Sequence, residues 1–317
     1  MPDLHLVPDM PSNPVPVAVL PEGLRPHLLD AVAAGGGELV TPDEARMLVW
    51  TDPSDAAGVS NVLAANPDIE VVQLLWAGVE EFAALGLFDD GRTWLCGKGV
   101  YADPVAEHAL ALSLAGLRGL PGRVTARGWG PQWGTSLIGR RVTVLGGGGI
   151  TESFLRLLGP FESDVTVVRR SGEQMDSAAR VVTPDRTLEA LDGADLVVLA
   201  LALTEETTGV IDAEALAAMP DHSWLVNVAR GQHVVTDDLV TALREGTIGG
   251  AGLDVTDPEP LPDDHPLWTL DNAIITPHTA NTEAMAVPLV SARVAANVRR
   301  LGEDRPLIGP VDPALGY

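Results

Sequence analysis

Short, unbroken apolar runs alternate with helical stretches along almost the whole chain. In the first hundred residues the runs are VPVAVL (15–20), RMLVW (46–50), VVQLLW (71–76) and TWLC (93–96), separated by segments such as GLRPHLLDAVAAGG. A clearer series follows the Gly- and Trp-containing loop GWGPQWGTSLIG: RVTVLG (141–146), DVTVV (164–168), DLVVLAL (195–201), SWLVNVA (223–229), GAGLDV (250–255) and AIIT (273–276). Between these lie four helical candidates, ESFLRLLG, TLEALDG, DAEALAAM and DDLVTALREG. Val- and Leu-rich runs without polar alternation mark strands covered on both faces, and strands interleaved with helices imply parallel pairing. The pattern therefore predicts an α/β protein with two doubly wound parallel sheets. Asp103-Pro104 reads as an N-cap and first-turn pair opening the helix PVAEHALALSLAGLRGL, apolar nearly all round and hence buried. The segment from about residue 284, VPLVSARVAANVRRLGE, is helical but too short to fold alone. It is expected to return to the first domain, giving domains of 1–102 with 284–317, and 103–283.

Composition narrows the partners. A length of 317 residues suits two cores. The one cysteine, Cys96, excludes an internal disulfide and fits a reducing, cytoplasmic setting. The N-terminal MPDLHLVPDM has no basic region followed by an apolar run, and no stretch reaches the roughly 18 apolar residues of a membrane span. Neither export nor a membrane is expected. A formal net charge of -24 repels nucleic-acid phosphates and anionic lipid, so neither is expected as a partner. No spacing of His, Cys and carboxylates suggests a metal site. Lys98 is the only lysine, which puts the burden of binding anions on arginines.

Candidate chemistry begins at VTVLGGGGIT. Gly146 and Gly148 stand between a strand and a helix opening near Ile150, with Gly149 at the junction. Glycine permits the tight turn and the close approach of backbone to a pyrophosphate at a helix N-terminus. The third glycine of the usual pattern is replaced by Thr151, which predicts either looser helix-to-strand packing or a slightly shifted phosphate. At the end of the next strand, where an NAD site carries a carboxylate for the ribose hydroxyls, stand Arg169, Arg170 and Ser171. Paired guanidiniums and a hydroxyl suit a 2′-phosphate, so NADP is preferred to NAD.

Three further segments, LVNVARG (225–231), GLDVTDPEPLP (252–262) and ITPHTA (275–280), follow VLGGGGI in order. Together they resemble the D-isomer-specific 2-hydroxyacid dehydrogenases, in particular the glyoxylate/hydroxypyruvate reductase branch. The resemblance implies a Rossmann cofactor domain inserted in a flavodoxin-like substrate domain, with catalysis in the cleft between them. It makes Arg230 the binder of substrate carboxylate and carbonyl, Glu259 the partner of the catalytic histidine, and His278 the acid/base. Chemistry agrees with each role. A guanidinium can hold a 2-keto acid and polarise its carbonyl, and hydride arriving at carbon requires a proton at oxygen, which histidine supplies best near neutral pH.

The same resemblance assigns Thr204, Ala229 and Asp254 to the cofactor, and Trp50 with the backbone of Ala77, Gly78 and Val79 to the substrate. Departures are Ala202 where proline is frequent, Glu80 where aspartate is usual, and Gly97 in place of asparagine. Glu107 and His108 are read as helix and interface structure. His5, His27, His222, His233 and His265 have no evident part in carbonyl reduction. The expectation is a homodimeric reductase of a small 2-keto acid. The alternatives are an NAD-linked dehydrogenase of another 2-hydroxy acid, phosphoglycerate-like, and a non-catalytic NADP(H)-sensing protein on the same fold.

Overall fold

The structure, a computed structural model, describes residues 14–313. The N-terminal decapeptide and His5 lie outside the described residues. The chain divides into two units, one taking the chain up to Val100 and again from Glu283 on, the other Tyr101–Thr282.

In the first unit the order is β1 (Val15–Leu20), α1 (His27–Ala34), β2 (Gly37–Leu39), β3 (Met47–Trp50), α2 (Ala56–Ala65), β4 (Val71–Leu74), α3 (Glu80–Ala84) and β5 (Thr93–Leu95). Its sheet runs β2-β1-β3-β4-β5, every pair parallel. Successive side chains of a strand face opposite ways, so an apolar run fills two cores at once. Val17, Met47 and Val49 pack on one face, while Ala18, Leu48 and Trp50 pack on the other. The chain's last long helix closes the first of these faces with Val290, Val294, Val298 and Leu301, a stripe at helical spacing. Burying such side chains contributes about 1.5–3 kcal/mol each, which is why this segment belongs to the first unit.

The second unit contains α4 (Ala102–Leu117), α5 (Leu120–Val124), β6 (Arg141–Leu145), α6 (Gly149–Leu158), β7 (Asp164–Val168), β8 (Arg180–Val182), α7 (Thr187–Leu191), β9 (Leu196–Leu199), α8 (Ala213–Ala218), β10 (Trp224–Asn227), α9 (Thr236–Glu245), β11 (Gly250–Leu253) and β12 (Ala273–Ile275); α10 (Glu283–Gly302) is the returning helix. The sheet order is β12-β11-β10-β9-β6-β7-β8, again all parallel. Both sheets are therefore doubly wound, as the apolar pattern predicts.

Strands β2 and β8 carry no signal in that pattern, being three-residue edge strands with exposed and half-exposed positions. Asp103 is not an N-cap. The helix starts at Ala102, and the Asp103 carboxylate instead accepts from Ser153 Oγ (2.6 Å) and Arg156 (2.7 Å) of α6. This joins the long helix to the one that follows the glycine turn.

Candidate active site

Parallel sheets bind ligands beyond the carboxyl ends of their strands. In the second unit those ends carry nearly all the chemistry singled out above. After β6 the chain turns at Gly146, whose φ of +108° and contact with the Ala200 carbonyl leave no room for a side chain. Gly148 caps α6 in an extended conformation, and a side chain added there would meet nothing within 4 Å. The first N–H groups of α6, which begins at Gly149 and Ile150, thus face open space suited to a pyrophosphate. Thr151 overturns the expectation of loose packing. It is fully buried, and its hydroxyl donates to the Gly146 carbonyl (2.8 Å), pinning helix to turn.

Arg169, Arg170 and Ser171 follow β7, the neighbouring strand. The Arg169 stem lies along Gly147, where an added Cβ would stand 2.8–2.9 Å from its Cδ, Cβ and Nε. Its guanidinium is only loosely engaged by Glu173, at 3.9 Å. Arg170 and Ser171 are exposed. A dinucleotide on the glycine turn therefore has a basic, hydroxyl-bearing strand end beside it. Residues and space fit the group.

The remaining chemistry lies on β10, β11 and β12, three adjacent strands. Arg230 follows β10 in a turn braced by buried Asn227, whose side chain donates to the Arg230 carbonyl (2.8 Å) and accepts from Ala229 N–H (3.0 Å). Ala229 is thereby buried in that turn. Gly231 packs so closely on the Thr256 carbonyl that no other residue fits, which locks the Arg230 turn to the loop after β11. Glu259 stands on that loop, and its Oε1 lies 2.7 Å from Nδ1 of His278, which follows β12. Both side chains remain 41–51% exposed, so the pair can exchange protons with solvent. His278 adopts φ +51°, a costly conformation for a residue with a Cβ. Its N–H, bonded to the carbonyls of Asp254 (2.8 Å) and Thr276 (2.9 Å), holds it there.

Asp254, at the end of β11 and 2% exposed, organises this loop. Its Oδ1 accepts from Thr276 Oγ1 (2.6 Å) and Thr279 N–H (2.9 Å), its Oδ2 from Ala280 N–H (3.0 Å), and His108 of α4 approaches to 3.3 Å. Because the Thr276 hydroxyl donates to Asp254, it accepts from His108 Nε2, which lies 3.0 Å away. Burial pushes the Asp254 carboxyl up, but the donors His108, Thr276, Thr279 and Ala280 outweigh it and bring the pKa down to about 2. A depressed carboxylate stabilises the fold above its ordinary value of 3.8, and the contribution is lost as pH falls through about 2. Asp254→Asn is accordingly expected to cost about 3 kcal/mol at pH 7. In urea titrations the gap to the parent should narrow from pH 5 to pH 2; a constant gap would refute the linkage. Nothing in the spacing of His108 pointed to this role, since a histidine on a buried helix reads as packing.

The loop after β9 is the fourth piece. Thr207 Oγ1 accepts from Thr204 N–H (2.8 Å) and donates to the Ala202 carbonyl (2.8 Å), so hydroxyl bonds supply the stiffness that proline would have given. Buried His233, just past Arg230, contacts the carbonyls of Thr207 (3.0 Å) and Leu201 (3.3 Å), tying this loop to the Arg230 turn. His222 pairs with Asp195 and His265 caps a short 3-10 turn; both are structural.

In the first unit Trp50 ends β3 and is packed in the core, while Ala77, Gly78 and Val79 form the turn entering α3, with Glu80 at its start. Gly97 is explained by space, because a Cβ there would strike the Leu75 carbonyl. Among the described residues no three His, Cys, Asp or Glu side chains gather as a metal site would, and no helix is long and apolar enough to cross a membrane.

A nucleotide-shaped glycine turn in the same sheet as a carboxylate-held imidazole serves redox chemistry at a carbonyl, and the class so defined is the NAD(P)-dependent oxidoreductases. The chain belongs to the D-isomer specific 2-hydroxyacid dehydrogenase family, whose NAD binding domain matches residues 109–280. It is 38% identical over 256 residues to an uncharacterized protein of Corynebacterium melassecola, covering 79% of this chain and 84% of that one. To the Homo sapiens protein named glyoxylate reductase/hydroxypyruvate reductase it is 31% identical over 248 residues, 74% of each chain. Among solved structures, a D-isomer specific 2-hydroxyacid dehydrogenase from Xanthobacter autotrophicus Py2, in complex with NADPH and MES, superposes with a TM-score of 0.82 at 27% identity, covering 96% of this chain and all of that one.

Proposed function

We propose that the protein reduces a small 2-keto acid of the glyoxylate or hydroxypyruvate kind to its 2-hydroxy acid, with NADPH preferred to NADH. In this reading residues 103–283 form the cofactor domain and the remainder the substrate domain. The observation that carries it is the 2.7 Å contact of Glu259, after β11, with His278 Nδ1, after β12, in the same sheet whose neighbouring β10 leads to Arg230. A protein that only senses the cofactor has no use for such a pair.

When bound, the reduced nicotinamide supplies the hydride; the side chains do the rest. Arg230 holds the substrate carboxylate and draws charge onto the carbonyl oxygen. Glu259 accepts from Nδ1–H, which fixes the ring and leaves Nε2–H to be donated to that oxygen as the C–H bond forms. Asp254 and His108 keep the 276–280 loop in the shape that presents the ring. Preference for NADPH is supported by Arg169, Arg170 and Ser171 beside the glycine turn, and by NADPH in the Xanthobacter relative. A dimer is supported by exposed Trp129, Trp133 and Val124 on the segment after α4.

Initial rates with glyoxylate, hydroxypyruvate, pyruvate and longer keto acids, each with NADPH and NADH, test the reading on the gel-filtration peak of two chains. The expected result is turnover of the small acids and a higher kcat/KM with NADPH. Joint replacement of Arg169 and Arg170 should erase that preference by weakening NADPH more than NADH. No turnover with any acid would overturn the enzyme assignment, an equal loss with both nucleotides the 2′-phosphate argument, and activity confined to a single-chain peak the dimer.

A further inference from the structure

Arg169 leaves the end of β7 fixed along most of its length. Its N–H donates to the Val182 carbonyl of β8 (3.0 Å), and its stem runs along Gly147, where a Cβ would meet the Arg169 Cβ, Cδ and Nε at 2.8–2.9 Å. The turn that follows is held by its own bonds. Gly172 N–H donates to the Arg169 carbonyl (3.2 Å), Gly172 takes φ +64° beside the Thr183 methyl, and Glu173 N–H donates to the Ser171 hydroxyl (3.3 Å). This turn brings the Glu173 side chain back to Arg169, its carboxylate 3.9 Å from the guanidinium.

The fold has little use for that pair. An ion pair between groups open to water contributes almost nothing to stability, and the Glu173 side chain is 78% exposed. The turn is kept by its backbone and by Ser171, without the carboxylate. For a ligand the pair matters more. Arg169 and Arg170 put two positive charges at the end of β7, and Glu173 subtracts one. Arg186, on the turn after β8, adds none, being paired with Glu189 (2.8 Å). A 2′-phosphate gripped by Arg169 must displace Glu173 or share the guanidinium with it, so that a dianion stands beside a carboxylate. An uncharged ribose hydroxyl meets no such repulsion.

We propose that Glu173 is a specificity-determining residue that works against the 2′-phosphate, restraining the preference for NADPH so that NADH stays a usable second cofactor. The proposal rests on the reading above that a dinucleotide seats on the glycine turn with its adenosine ribose beside the end of β7. Discrimination at this strand end is then a difference, with Arg169 and Arg170 favouring the phosphate and Glu173 opposing it. Like charges a few ångströms apart in surroundings open to water change a binding constant by about 3- to 10-fold.

Glu173→Gln removes the charge while keeping the side chain's size and the N–H bond to Ser171. Dissociation constants for NADPH and NADH are read from nucleotide fluorescence, with no turnover involved. At about 0.05 M salt the ratio of the NADH constant to the NADPH constant should be about 3- to 10-fold higher in the variant than in the parent. At about 0.5 M salt, where screening acts over only a few ångströms, that gain should fall by at least about half. Because each ratio is taken within one preparation, a lowered fraction of folded protein cannot mimic the result. A ratio within about twofold of the parent at low salt, or a gain that high salt leaves unchanged, would overturn the role of Glu173. A parent that binds the two nucleotides equally would strike instead at the 2′-phosphate reading of Arg169 and Arg170, and the Gln variant would still decide on Glu173.

Discussion

His278→Asn should lower kcat for keto-acid reduction by about two to four orders of magnitude, while the dissociation constant for NADPH, read from nucleotide fluorescence, shifts by about twofold or less. The asymmetry follows from position. His278 follows β12, whereas the glycine turn and its basic neighbours follow β6 and β7, with β9, β10 and β11 between. Asparagine suits the φ of +51° better than most residues, and the loop keeps its anchors on Asp254, so the loss reports chemistry rather than collapse. Turnover within tenfold of the parent would remove His278 from the mechanism.

The second large effect belongs to Arg230. Arg230→Gln is expected to lower kcat/KM by about 10²–10³, with both KM raised and kcat reduced, because the same group binds the carboxylate and stabilises charge on the oxygen. The guanidinium donates to the Ala229 carbonyl (2.8 Å), but the turn is also kept by Asn227 and by the contact of Gly231 with Thr256, which do not use it. A thermal unfolding midpoint lowered by a few degrees at most, together with this kinetic loss, is the expected pair of results. A rise in KM alone, with kcat intact, would assign Arg230 to uniform binding only.

Much of this arrangement is legible in the chain because strands buried on both faces leave continuous apolar runs, and because side chains placed just beyond such runs must meet at one edge of a parallel sheet. That logic puts Arg230, Glu259 and His278 beyond neighbouring strands of one sheet, while their roles come from the resemblance to the family. Edge strands β2 and β8 escape it, having no buried face to mark them. The supports of the site escape it for another reason. His108 lies 168 residues from Thr276, and the 3.0 Å contact between them depends on how α4 crosses the sheet, which no local pattern encodes. Thr151 shows the limit of a motif read letter by letter. Its hydroxyl supplies by a bond the closeness that glycine supplies by having no side chain.

The returning helix α10 has an effect on the order in which the protein can be made. A ribosome delivers Tyr101–Thr282 whole before it delivers Val290, Val294 and Val298, so the inserted unit can fold while the strands emerging first still lack part of their covering. Those early strands spend most of synthesis with one apolar face open to chaperones or to one another, and premature termination inside α10 would release chains with a finished nucleotide-binding half and an unsealed remainder.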